Sequence, residues 1–166
     1  IDSSCYPDID TLQALSVKIN CINENEKIIE HGTGTLFANN GSYYVVTAAH
    51  CILNNITKSF YDKRYIQISL PHICKTLIEV NEILEFNSDD DADFALLSVK
   101  LDIDSFPISF DYENDIQFID KDEFCTNTCF YGYTSSEPTG RMFRARMVST
   151  NTYEVEENAI SATGAD

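Results

Sequence analysis

Apolar and polar residues alternate with period two along several short stretches of this chain. Leu15, Val17 and Ile19 alternate with Ser16 and Lys18, the pattern of a half-buried strand. The polar run Asn23-Glu-Asn-Glu26 reads as a turn, and residues 27–37 as a second strand in which Gly32 and Gly34 permit bends or close backbone approach. Asn39-Asn-Gly-Ser42 predicts a hairpin turn, because Asn-Gly tolerates positive φ. Residues 43–47 are strongly β-prone, and further strands are expected over 65–70, 77–86 and 94–100. About six short strands in the first hundred residues, without a clear helical pattern, argue for an antiparallel barrel or sandwich.

Beyond Leu101 the pattern loosens. Residues 102–122 are acidic with scattered aromatics and read as a connection between two subdomains. Strands are expected over 124–134 and 141–152, and residues 154–166 carry little pattern. The division drawn is a β-barrel over residues 1–105, then a linker and incomplete second barrel over 106–166. No internal repeat, low-complexity tract or Pro/Gly-rich linker occurs.

The 166 residues and 43% apolar content fit a globular chain, and all-β barrels often need more length than this as one unit. No apolar run reaches the ~18–20 residues that span a bilayer, so no membrane-spanning helix is expected. Residues 1–10 carry no basic segment followed by an apolar one, so no signal peptide is expected there, with cleavage before Ile1 left open. The net charge of −16 would repel a phosphate backbone, which makes nucleic acid an unfavourable partner. That charge serves solubility first, with attraction of basic partners the sharper alternative. Six cysteines, at 5, 21, 51, 74, 125 and 129, permit disulfides without repeating spacings.

The stretch that carries chemistry is Gly32-Thr-Gly-Thr-Leu-Phe37 followed by Tyr43-Tyr-Val-Val-Thr-Ala-Ala-His-Cys51. Ala48 and Ala49 let the backbone pack tightly before His50, which emerges where a rigid strand ends. A general base needs that positioning first and a suitable pKa second. Later comes Asp93-Phe-Ala-Leu-Leu97, an acid opening an apolar strand. From there a carboxylate can accept a hydrogen bond from imidazole Nδ1 and fix its tautomer. Asp93 is preferred to Asp91 because it directly precedes the apolar positions.

These motifs resemble the trypsin/chymotrypsin-like serine proteases. Thr47-Ala-Ala-His-Cys51 matches that family's histidine signature at every position, and residues 93–97 match its aspartate signature. The Gly-Thr-Gly-Thr-Leu-Phe strand is similar to that of bacterial members, and Tyr131-Gly-Tyr-Thr134 to a strand of the glutamyl-endopeptidase-like branch. The likeness covers about residues 12–160 and is strongest in the first two-thirds. It implies an all-β, trypsin-like double antiparallel barrel with the first barrel complete and the second partial. It also implies His50 as general base and Asp93 as its orienting acid.

Two features depart from the family. None of the six glycines begins a Gly-x-Ser-Gly, and the chain reaches Asp166 about where the approach to the family's serine begins. Ser135 and Ser136 lie too early and read as a turn. The family also often bridges the cysteine after its histidine to one on the glycine strand, where residues 32–37 offer none. Cys51 then reads as a small buried hydrophobe, and the chain as a disulfide-poor member leaning towards the bacterial cytoplasm, with secretion left open. His72, Cys74, Cys125 and Cys129 could supply four zinc ligands, but their spacing is not a standard one. Unlinked thiols or one disulfide are preferred, and no metal or other cofactor is expected. The reading is therefore an endopeptidase acting on polypeptides, its serine supplied by a segment or second chain outside these residues. The alternative is a catalytically dead protease-like domain that binds or regulates.

Overall fold

A computed structural model describes residues 4–90, 92–102, 110–134, 139–150, 152–156 and 160–161. In chain order the elements are β1 (Ser4–Cys5), α1 (Ile9–Leu15), β2 (Ser16–Ile22), β3 (Ile28–Asn39), β4 (Ser42–Thr47), β5 (Ile66–Leu70), β6 (Cys74–Asp89) and β7 (Ala92–Lys100). There follow β8 (Asn127–Gly132), β9 (Arg141–Ser149), β10 (Thr152–Val155) and β11 (Ile160–Ser161), with short 3₁₀ turns at Ala49–Cys51, Lys63–Tyr65 and Lys121–Glu123.

β2, β3, β4, β7, β6 and β5 close, in that order, into a barrel whose neighbouring strands are all antiparallel. Closure leaves the barrel without an outermost strand. The alternation in the sequence supplies its interior: Val17, Ile19 and Cys21 from β2, Ile66, Ile68 and Leu70 from β5, and Ala95, Leu97 and Val99 from β7 are all buried. The sixteen-residue β6 breaks register between Val80 and Glu82 and between Ile83 and Glu85, and bulges of this kind let a long strand bend. At the β3–β4 turn both central residues have positive φ, 51° at Asn40 and 80° at Gly41, as the Asn-Gly pair predicts. Asn23 closes the preceding turn, its Oδ1 accepting the N–H groups of Asn25 and Lys27.

The second sheet is open, ordered β1-β8-β9-β10, with β11 also on β9. Its pairs are antiparallel except β1 on β8. The chain is therefore all-β in character, with one complete barrel and a second, partial sheet. The expected division at residue 105 falls within 103–109, outside the described residues, as do Asp91, Ser135 and Ser136.

Several expectations are corrected. A helix precedes the first barrel strand: Asp8 caps α1, its carboxylate accepting the N–H of Thr11 at 2.8 Å, and Leu12 and Ala14 are buried. β2 is not half-buried, because the second sheet lies over its outer face and leaves Ser16 and Lys18 only 7% and 4% exposed. The Lys18 ammonium sits 5.9 Å from the centre of the Tyr133 ring, a cation–π distance. The strand expected over 141–152 is a hairpin of β9 and β10, and β11 lies in the stretch read as patternless. Cys125 is disulfide-bonded to Cys5, which removes it from the zinc set considered. His72 Nε2 instead shares a 2.7 Å hydrogen bond with the Tyr131 hydroxyl.

Candidate active site

His50 stands in the 3₁₀ turn Ala49–Cys51 that ends β4. The turn is held by hydrogen bonds from the Cys51 N–H to the Ala48 carbonyl and from the Ile52 N–H to the Ala49 carbonyl, both 3.1 Å. Its flanking residues are buried, Ala49 fully and Cys51 at 6% exposure, while the His50 side chain is 66% exposed. A small residue on one side and a packed thiol on the other thus anchor the turn in the barrel and aim the imidazole outward. Below the turn, the Thr47 hydroxyl donates to the Thr33 carbonyl at 2.8 Å and ties the end of β4 to β3.

Asp93 reaches His50 because β4 and β7 are adjacent and antiparallel, with Thr47 opposite Ala95. Running that register two residues further brings position 93 beside the turn. Asp93 then grips His50 twice. Its Oδ2 lies 2.5 Å from imidazole Nδ1, and its Oδ1 accepts the His50 backbone N–H at 3.2 Å. Burial pushes the Asp93 carboxyl upward, but hydrogen bonds from the His50 ring and the His50 and Ala49 backbones outweigh it and hold the pKa below its ordinary value. An ionised carboxylate only accepts, so Nδ1 carries the proton and, in the neutral ring, Nε2 keeps its lone pair. Among the described residues nothing takes Nε2. The arrangement can receive a proton at Nε2 and stabilise the imidazolium through Asp93.

The thiols of Cys51 and Cys21 are both buried in the barrel. Burial pushes Cys51 up and Cys21 up to about 12, and the Cys21 thiol donates to the Cys51 carbonyl at 3.4 Å. Cys51 belongs to no disulfide, in line with its reading as a buried hydrophobe. The reason is visible at Gly32, where an added Cβ would stand 2.4 Å from Cys51 Sγ: the thiol fills the space left by the missing side chain. His72, Cys74, Cys125 and Cys129 do not gather, and no group of three or more metal-ligating side chains occurs among the described residues.

Contacts between residues distant in sequence join this end of the barrel to the second sheet. Thr33 Oγ1 accepts the Tyr133 N–H at 2.7 Å, so one threonine ties both Tyr133 and, through its carbonyl, Thr47. His31 Nε2 donates to the Thr134 carbonyl at 3.0 Å, which gives this ring the Nε2–H tautomer. The only signal was that His31 and Thr33 flank Gly32 in the glycine stretch. Two grooves follow. One of about 590 Å³ is lined by residues 26–31 and Thr134, along a part of β3 that pairs with β2 on one side and, before Gly34, with no strand among the described residues on the other. The other, of about 550 Å³ and mostly apolar, runs between α1, residues 33–35 and Val46 on one wall and residues 129–134 on the other.

Compared with protein-family models, the chain matches none, and a comparison with curated proteins returns no match either.

Proposed function

We propose that this chain carries the general base and orienting acid of a trypsin-like serine endopeptidase, with the serine on a segment outside these residues. The observation that carries the reading is the double grip of Asp93 on His50. A histidine serving only to fill a barrel end has no need of a carboxylate on both its Nδ1 and its backbone N–H while its ring stands largely in solvent. The serine Oγ attacks the scissile carbonyl and gives its proton to His50 Nε2. Asp93 stabilises the imidazolium, and the proton then passes to the departing amine. Water repeats the sequence on the ester and frees the serine. The stretch of β3 before Gly34, open on one side among the described residues, supports a polypeptide substrate, since an extended peptide can add to such an edge by main-chain hydrogen bonds.

The test is fluorophosphonate labelling of the native protein, followed by intact mass and peptide mapping. The expected result is one label on the serine of a Gly-x-Ser-Gly peptide, lost when His50 is replaced by alanine. Absence of both the label and any such peptide overturns the reading in favour of a protease-like binding or regulatory domain.

A further inference from the structure

The Cys5–Cys125 disulfide ties β1 to the segment before β8, where the Cys125 carbonyl accepts from the Tyr153 hydroxyl and the Thr126 carbonyl from the Met147 N–H. β1 pairs with β8 through two residues, Ser4 opposite Asn127 and Cys5 opposite Thr128. Tyr6 is 54% exposed and adds a contact 5.5 Å from the Arg144 guanidinium. The next firm anchor is α1, with its Asp8 cap and its buried Leu12 and Ala14. Residues 4–7 are thus a short strap, exposed along its length and pinned at its outer end by one covalent bond. Cys5 is itself exposed, so a reductant can reach the bond.

The strap lies against a thiol. Cys129 stands one residue beyond the position opposite Cys5, is 7% exposed, and points its Sγ at the Pro7 carbonyl at 3.9 Å. Burial pushes this thiol above its ordinary pKa, against the opposing pull of Arg144. Cys129 also lines the apolar groove between the barrel and the second sheet. On the side of β8 where β1 sits, residues 129–132 have no strand partner among the described residues.

We propose that Cys5–Cys125 is a redox-labile latch: its reduction frees residues 4–7, lifts the Pro7 carbonyl off Cys129, which also shares a buried cluster with Leu12 of α1, and opens the β8 edge at residues 127–128. The step is thiol–disulfide exchange with a dithiol reductant. One thiolate of the reductant attacks the Cys5 sulfur and Cys125 leaves as a thiolate. The second reductant thiol resolves the mixed disulfide. Two electrons pass to the protein, two protons complete its thiols, and the reductant is left as its own disulfide. α1 stays docked, since its anchors lie beyond the strap, so the opening is local.

The test is native-state alkylation with iodoacetamide, read cysteine by cysteine by peptide mapping. The samples are the oxidised protein, the protein reduced with dithiothreitol and desalted without air, and a Cys5→Ser variant. Cys74, partly exposed, reports that the reagent works in every sample. Cys21 and Cys51, buried in the barrel, report that it stays folded. The latch predicts that Cys129 reacts at least about tenfold faster in the reduced and Cys5→Ser proteins than in the oxidised one, with Cys21 and Cys51 protected throughout. Unchanged protection of Cys129 overturns it. So does a joint rise of Cys21, Cys51 and Cys129, which would make the bond a structural tie of the whole fold.

Discussion

Replacing Asp93 by asparagine keeps the shape of the side chain and removes the charge that sets the His50 tautomer. An amide can present its NH₂ to Nδ1, which moves the ring proton to Nε2 and takes away the base. On the proposed endopeptidase reading, kcat is expected to fall by about 10⁴ with KM little changed, measured on a peptide substrate. Loss confined to KM would remove Asp93 from the proton-transfer chain. Gly32 acts through packing. An alanine there places Cβ 2.4 Å from Cys51 Sγ and 3.0 Å from its Cβ, and overpacking of this kind costs about 1–3 kcal/mol. Urea unfolding of Gly32→Ala, Cys51→Ala and the double variant checks it. The double variant is expected to recover part of the loss, because the sulfur that clashes is gone. At this scale His50, Asp93 and the buried Cys51 were legible because each sits in a local motif. Thr33 and His31 were not, since their partners, Tyr133 and Thr134, lie 100 and 103 residues away.

Among the elements, the contact between β8 and the barrel includes the hydrogen bond that His72 Nε2 shares with the Tyr131 hydroxyl. Burial lowers the pKa of this ring below its ordinary 6.5. Between the lowered value and 6.5 the unfolded chain binds more protons at this residue than the folded one. Stability therefore rises with pH through that window, is level above it, and is lost as pH falls through the folded pKa. A His72→Gln variant, which cannot take the extra proton, is expected to show a flatter fall in Tm from pH 7 to 5 than the parent. An unchanged slope would assign the fall between pH 7 and 5 to other groups; Asp93 is not one of them, because its lowered pKa removes stability only at still lower pH. The strands of the barrel were readable because their alternation answers to one question, which side faces the core. The same logic failed for the outer face of β2: Ser16 and Lys18 look solvent-facing until a second sheet covers them. α1 was missed because seven residues give fewer than two turns of periodicity against a strand pattern starting at Leu15.

Across the whole molecule, the covalent tie between Cys5 and Cys125 spans 120 residues. Cross-links that close long loops raise the free energy of the unfolded chain, typically by about 2–4 kcal/mol in measured cases. Reduction is thus expected to lower Tm by on the order of 10 °C at this chain length, read by circular dichroism with and without dithiothreitol. An unchanged Tm would mean the native state gains as much from release as the unfolded state. The sequence by itself determined the all-β character, the order of the barrel strands along the chain, the Asn40-Gly41 hairpin, and the pairing of a positioned histidine with a later aspartate. These follow from short-range rules of side-chain alternation, turn conformation and motif chemistry. Only the tertiary structure decided the barrel's closure order, the double grip of Asp93 on His50, the burial of Lys18 and the choice of Cys5 as partner for Cys125. Each depends on which distant segments become neighbours, and that is set by strand register and by the shared burial of many side chains at once. No local window of sequence contains that information.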